Sequence, residues 1–563
     1  MSLCLSSIAQ DRTIGLVQRD SSIDEGYYLF GPKNANTAYL VNSCGQLVNQ
    51  WESGYKPGNI DRLLENGDLL TARLLNQNPG LGAGGQGGIF EQYDWDGNKK
   101  WSYVVSDSIQ LAHHDFAILP NGNYLILSWD KRFYQEAIDA GRDSSTVFNG
   151  SVWSEKITEL RPIFPDSAEI VWEWYLWDHL IQDYDSTKNN YGVVSQHPEL
   201  MNINYILGSP DPDWIHANSL AYDPVTDQVM FSSRDINEIY VIDHSTTIQE
   251  AASNTGGRWG KGGDFLFRYG NPRVYDRGDS SDQVFFMQHD ANFVDYGIGS
   301  DGALMVFNNG RARFGIPIDS NYSQVLKIYP TRNSDSSFVF TNQYDVDSVV
   351  VIYEGSPRPS FFAAFLSGAT QLKNNRYLIS HGPKGEFFEI DENGEILLKY
   401  IIPVGLNGIQ LTQGIDVDDL GTGIGARDNV FFRAVKYEAD FPGFDGKDLS
   451  TSSYIELSPL PGLCGDIPVV SEIIDLSLEE LAIYPTLVLD NLLRVVLTND
   501  IIVQHYALYD ISGKMVKSAV DLNQNSDFSI ELPGQLNSGI YILQLNGEKN
   551  NTSFNISRKI IVQ

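Results

Sequence analysis

Short runs in which apolar and polar residues alternate, separated by Gly, Asn and Asp turns, recur from Arg62 to Tyr437. Alternation with period two puts every second side chain on one face, so each run predicts a half-buried β-strand. A strand-turn-strand unit occurs six times: RLLENGDLL from Arg62, HHDFAILPNGNYLIL from His113, HANSLAYDPVTDQVMFSSR from His216, HDANFVDYGIGSDGALMVF from His289, SGATQLKNNRYLISHG from Ser367 and GIDVDDLGTGIGARDNVFFRAVKY from Gly414. Second hairpins follow, as in IFEQYDWDGNKKWSY, NEIYVIDHS with GDFLFRYG, and EFFEIDENGEILLKY. Units of about 70 residues with four strands each predict an all-β fold, a six-bladed β-propeller. TAYLVNSCGQLVNQWE near the start and SSYIELSPLPG near the end have the form of blade-mates, which would close the ring.

Two stretches depart from the repeat. Residues 131 to 212 carry EIVWEWYLWDHLIQDYD, whose spacing fits a short helix as well as a strand. They are expected to form an arm inserted over one face, with Trp174, Trp177, Tyr184 and Tyr191 as candidates to cover an aromatic ligand. After Cys464 the pattern changes: 465–480 reads as a linker, and 481–563 alternates short β-runs with Gly, Asn and Asp turns, predicting a small β-sandwich. At the other end, residues 1–10 (MSLCLSSIAQ) read as the remnant of a secretory signal, with a frayed start as the plainer alternative. Cys44 and Cys464 then remain as one disulfide or as two buried thiols.

Charge narrows the partners. Lys and Arg total 39 against 72 Asp and Glu, a net charge of -33, which argues against nucleic acid because phosphate contacts need cationic stripes. An anionic small molecule would need a locally basic pocket. The chain is 42% hydrophobic, enough for a large core, yet no run reaches the roughly 18 to 20 apolar residues of a membrane span. Gly80, Gly82 and Gly85 satisfy a dinucleotide fingerprint, but the strand-like IFEQYDW follows where a helix is required, so a rim loop is expected. Asp94, Asp96 and Asn98 read as a solvated turn. Neither metal spacing nor a hydrolase motif is present.

His114, His216 and His289 stand at one position of the repeat, where an inner strand begins, so all three are expected at one mouth of the channel. His381 and Arg234 fall at the ends of second strands that return to the same rim, and Arg311 and Arg313 just past another. Four imidazoles and up to three guanidiniums would make the basic pocket that an anionic substrate requires.

At these residues, over most of 26 to 460, the chain resembles the bacterial arylsulfate sulfotransferases. The resemblance lies in DWIHANSLAYDP, the SSR at Ser232 to Arg234, GDFLFRYGNP, QHDANF and FNNGRARF. It implies transfer of a sulfuryl group from an aryl sulfate donor to a phenolic acceptor through a sulfohistidine, with no nucleotide sulfate, cofactor or metal. His216 matches the H-x-N histidine, His289 the Q-H histidine, and Arg313 the arginine closing a D-N-G segment, in which Asn308 replaces the usual Asp. His381 is expected as the nucleophile, His114 as a further catalytic group, and Arg234, Arg311 and Asn218 as substrate-binding groups. A nucleophilic imidazole of ordinary pKa, about 6.5, should work better above that pH than below. Non-catalytic binding of sulfated ligands, or a quinoprotein-like propeller suggested by YDWDGNKKW, are the competing readings.

The stretch 481–563 resembles the type A C-terminal sorting domain of type IX secretion substrates, through Tyr484-Pro485, YDISGKMV, SGIYILQL and the terminal RKIIVQ. That resemblance implies passage through the periplasm to the cell surface or medium, with the type IX machinery as partner. The expected organisation is a signal remnant at 1–10, a propeller at 11–464, a linker at 465–480 and a sorting domain at 481–563.

Overall fold

A computed structural model describes the chain from Arg12 onward, except 76–79, 208–210, 295–301, 420–426, 452, 461–462, 465–480 and short stretches within 485–563. The expected signal remnant and linker lie outside the described residues. The described chain is almost entirely antiparallel β-sheet, and its α-helices are the short Tyr134–Asp139 and Ile248–Ala251. It divides into two compact units, Met1–Cys464 and Gly465–Gln563.

The first unit contains six sheets of four or five strands. The second sheet, a plain meander, is Pro57–Leu63, Leu69–Leu74, Gly88–Tyr93 and Lys99–Val104. The third begins with Gln110–Ile118 and Tyr124–Phe133, the fourth with Ala217–Asp223 and Gln228–Ser233, the fifth with His289–Phe293 and Leu304–Asn308. The two remaining sheets join distant parts of the chain. Val435–Glu438 pairs with Gly26–Phe30 to complete the first, and Gly15–Arg19 adds a fifth strand to Ile396–Ile401 of the sixth, which begins at Gly368–Gln371.

Consecutive sheets pack face to face through separate apolar layers. Leu127, Trp174, Phe231 and Tyr240 join the third to the fourth, Phe307, Ile379 and Phe388 the fifth to the sixth, and Phe30, Phe387 and Tyr400 the sixth to the first. Trp51, Trp101, Trp129 and Trp174 are all fully buried, each removing on the order of 200 Å² from water. The first strands of the six sheets, with Val435–Glu438 for the first, surround a cavity of about 380 Å³. Cys44 and Cys464 form a disulfide, with Cα atoms 5.9 Å apart, inside the bridging range.

The arm expected between 131 and 212 is resolved differently. Ser151–Ile163 and Ser167–Tyr175 are long outer strands of the third sheet, so EIVWEWY is strand. Trp174 is core and donates to the Gly263 carbonyl at 2.8 Å, whereas Tyr184 and Tyr191 are exposed.

The second unit has a three-stranded sheet of Leu481–Tyr484, Leu492–Leu497 and Phe528–Glu531, and a five-stranded sheet centred on Gly539–Lys549. Leu493, Val495, Leu508, Leu543 and Ile560 are in its core.

Candidate active site

The inner strands break their ladders where the histidines stand. In Gln110–Ile118 the register jumps between Ala112 and Phe116, so the residues between them oppose Leu127 alone. The ladder also breaks between Ala217 and Ser219, between His289 and Asn292, and between Pro57 and Asp61. His114, His216 and Asp290 take left-handed φ values of 52°, 48° and 53°. Side chains rarely adopt that region, at a cost on the order of 1 to 3 kcal/mol each, and bulges of this kind re-aim a side chain out of the alternating pattern.

The re-aimed rings meet. His114 and His216 pack edge to face with centroids 4.8 Å apart, and His113 stands against His114 with Nδ1 atoms 2.9 Å apart. Behind His113 lies Glu155, whose Oε2 is 2.9 Å from Nε2, while Trp129 stacks on the ring at 4.2 Å. The Trp129 indole donates to Asp213, and the other Asp213 oxygen lies 2.5 Å from His216 Nδ1. Nε2 of His216 has no hydrogen-bond partner among the described residues. His289 Nδ1 lies 2.8 Å from the Asn309 side-chain oxygen, and its Nε2 receives only a long 3.3 Å bond from the Leu366 amide.

Burial controls the charge of these rings. It pushes His113 and His289 down to about 3 and His114 well below the ordinary imidazole range, with neighbouring imidazoles adding to the effect on His114. Against the upward push of burial, His216 holds Asp213 below the usual carboxylate range, whereas burial lifts Glu155. The Glu155-His113-His114 chain therefore has two states that differ by one proton: with Glu155 protonated, His113 donates from Nδ1 and His114 carries Nε2–H, and with Glu155 ionised, His113 donates from Nε2 and accepts from His114 Nδ1–H. It can offer His114 Nε2 either as a lone pair or as a donor.

Cations and a glycine loop complete the cluster. Lys33 bonds to the Asn59 side chain and is pushed down to about 8 by burial. The Asn59 amide donates to the Gly85 carbonyl at 2.8 Å, which also accepts the His114 backbone N–H at 2.7 Å. Gly84 and Gly85 lie directly on His216 and His114, so the glycine loop covers the cluster. Arg234 is half-buried and held by Asp235 at 2.6 Å, close enough to His289 and Asp213 to influence both. Asn218 holds the Gln288 carbonyl at 2.7 Å, next to His289, and leaves its own oxygen without a partner.

Other residues picked out in the sequence lie apart from this cluster. Arg313 is wedged between the rings of Phe286 and Tyr322 and bonds to Gln324 at 2.9 Å. Arg311 is exposed. His381 is buried between the fifth and sixth sheets against Phe361, and neither ring nitrogen has a partner.

A family profile described as arylsulfotransferase (ASST) matches residues 64–396, more than half of the chain. The chain belongs to the arylsulfotransferase family. As a member it is an aryl sulfotransferase that needs no nucleotide sulfate donor. A second profile, the secretion system C-terminal sorting domain, matches 482–563 and marks this arylsulfotransferase for the cell surface or extracellular space. No curated protein matches the chain. Solved structures similar to it include a Bacteroides caccae protein of unknown function, 12% identical, covering 67% of this chain and 93% of that one with a TM-score of 0.35. The periplasmic gluconolactonase of Pseudomonas aeruginosa is 10% identical, covering 73% and 98% with a TM-score of 0.32. Virginiamycin B lyase of Staphylococcus aureus is 10% identical, covering 68% and 87% with a TM-score of 0.31.

Proposed function

We propose that the chain is an exported six-bladed propeller, residues 11–464, which carries a sulfuryl group from an aryl sulfate to a phenol through a sulfohistidine on His289. A short linker and a β-sandwich sorting domain, 481–563, follow. The observation that carries the reading is the meeting of His114 and His216 beneath the glycine loop, with His289, Arg234 and Lys33 within electrostatic reach.

The roles divide by the partner of each ring. His289 Nδ1–H points at a neutral amide oxygen, which leaves a neutral ring with its lone pair on Nε2, as a nucleophile needs. His216 Nδ1 bonds to the Asp213 carboxylate, which orients the ring for general-acid work. Nε2 of His289 attacks sulfur, the N–S bond forms as the S–O(aryl) bond breaks, and the departing phenolate takes a proton from His216. In the second half the acceptor phenol gives its proton to His216, its oxygen attacks sulfur, and the N–S bond breaks. Arg234, Lys33 and His114 Nε2–H hold the sulfuryl oxygens, where charge builds in the transition state. The nucleophile thus moves from His381, the sequence-based candidate, to His289.

Radiolabelled nitrophenyl sulfate tests this directly. Quenching without acceptor should leave label on the peptide containing His289, and adding phenol should discharge it. Label retained by His289→Ala would overturn the assignment.

A further inference from the structure

One guanidinium lies directly beneath the histidines and belongs to neither the cluster nor the apolar layers. Arg433 precedes the strand Val435–Glu438 that completes the first sheet. Its Nη2 donates to both oxygens of Asp115 at 2.8 and 2.7 Å, and its Nη1 bonds to Asp290. Asp115 immediately follows His114, and Asp290 immediately follows His289. Both lie inside the ladder breaks that re-aim those rings, and Asp290 itself holds the left-handed φ.

Each carboxylate is tied on its far side as well. Asp115 accepts the Leu220 N–H at 3.0 Å from the fourth sheet, and Asp290 accepts the Ala369 N–H at 2.9 Å from the sixth. A single side chain therefore joins the inner strands of the third and fifth sheets to the closing strand, and its two partners reach the fourth and sixth. All three side chains are 5% exposed or less. The charged groups at this level are Asp115, Asp290, Arg433 and Arg62, two of each sign, so the cluster is balanced and offers no net charge to an anion.

We infer that Arg433 is a positioning residue, which fixes His114 and His289 relative to one another by gripping the residue that follows each. The inference rests on reading these histidines as the reaction centre. Only an arginine fits the role, because a planar guanidinium can bond two carboxylates along separate edges, whereas an ammonium is a point charge that cannot hold both in a fixed geometry. If the grip is lost, the bulges can relax toward regular strand, and the rings move apart by the fraction of an ångström to which such chemistry is sensitive.

The test uses the whole chain and two variants, Arg433→Lys and Arg433→Gln, with phenol-dependent transfer and the labelled fraction of enzyme measured together. Arg433→Lys should keep KM for nitrophenyl sulfate within about threefold while kcat per labelled site falls at least about tenfold. Arg433→Gln leaves two buried carboxylates facing each other. Burial, opposed by Arg433, already holds Asp290 up at about 6. Its protonation should therefore restore part of the lost rate as pH falls from 8 to 6, a trend the wild type lacks. A melting temperature that drops with unchanged kcat per labelled site and an unchanged pH profile would mean a merely structural role, and overturns the inference. If neither variant folds, Asp115→Asn is judged by the same kcat criterion. Wild-type protein that transfers nothing would sink the functional reading instead. The positioning claim would then be decided by the imidazole NMR signals of His114 and His289, which Arg433→Lys must shift if it is right and leave in place if it is wrong.

Discussion

Gly85 and Gly97 make a matched pair. Their φ values are 82° and 83°, so an alanine at either meets the same backbone strain, on the order of 1 kcal/mol. They differ in what surrounds them. A Cβ at Gly97 meets nothing within 4 Å, whereas one at Gly85 would lie 2.0 Å from His114 Nε2 and 2.1 Å from Cε1. Ordinary contact begins at 3.4 Å, so the ring or the loop must move by about 1.4 Å. The loop cannot recede freely, because the Gly85 carbonyl is held by two N–H groups, from His114 and Asn59. The ring must therefore turn away from His113 and His216. Both variants should melt a few degrees below wild type, about 2 to 4 °C for each kcal/mol. Gly97→Ala should transfer sulfate at the wild-type rate, and Gly85→Ala should lose about 10²-fold in kcat, the usual effect of misplacing a catalytic group by an ångström. Phenol-dependent release of nitrophenol, read beside a thermal melt, checks both. A Gly85→Ala enzyme within twofold of wild type would show that the loop and His114 do not matter to the reaction.

Three further outcomes are expected. His381→Phe removes two buried, unpartnered nitrogens from an aromatic layer, so it should stabilise the protein by about 1 to 2 kcal/mol and leave labelling intact, whereas lost labelling would return the nucleophile to His381. With burial holding His289 down at about 3, single-turnover labelling should not be lost as pH falls from 7 to 5, and a half-loss near 6.5 on acidification would contradict a neutral buried nucleophile. His244 lies between Asp227 at 2.8 Å and Glu159 at 3.1 Å; burial pulls its pKa down, but these bonds outweigh it and lift the group to about 9. Because the folded-state pKa is raised, its contribution is fully present below the unfolded value of 6.5 and is lost as pH climbs to 9. Urea titrations of wild type and His244→Gln should accordingly differ by about 3 kcal/mol at pH 6 and converge above pH 9.

The sequence was most legible where one strand carried the signal. Alternation and turn residues exposed five of the six strand-turn-strand units, but in the unit read from Gly414 the described residues form a single strand, Val435–Glu438, which pairs with Gly26–Phe30 instead; a histidine recurring at one repeat position marked His114, His216 and His289. In YLISH, period two puts His381 on the same face as Ile379, and that face packs between the fifth and sixth sheets. The aromatic arm misled because Trp and Leu spacing does not separate a buried outer strand from a helix. Glu155, Asn59, Lys33 and Asn309 escaped notice because each reaches the cluster through a contact distant in the chain, and none belongs to a local motif. Asp213 was closer to hand, three residues before His216 in DWIH, the spacing at which a carboxylate can meet an imidazole across a bend.

The ring is sewn shut at its own ends. Residues 15–19 complete a sheet begun at 368, residues 435–438 complete one begun at 26, and a covalent stitch ties position 44 to position 464. Nothing made early in synthesis can finish either seam, so two sheets keep an unpaired margin until the chain is present almost to the last residue of the unit. Such long-range closure is slow, since distant ends must find each other before any gain is realised. The stitch also needs an oxidising compartment. A chain bound for export therefore keeps two open sheet margins until its last strand is made, and gains its covalent stitch only in an oxidising compartment.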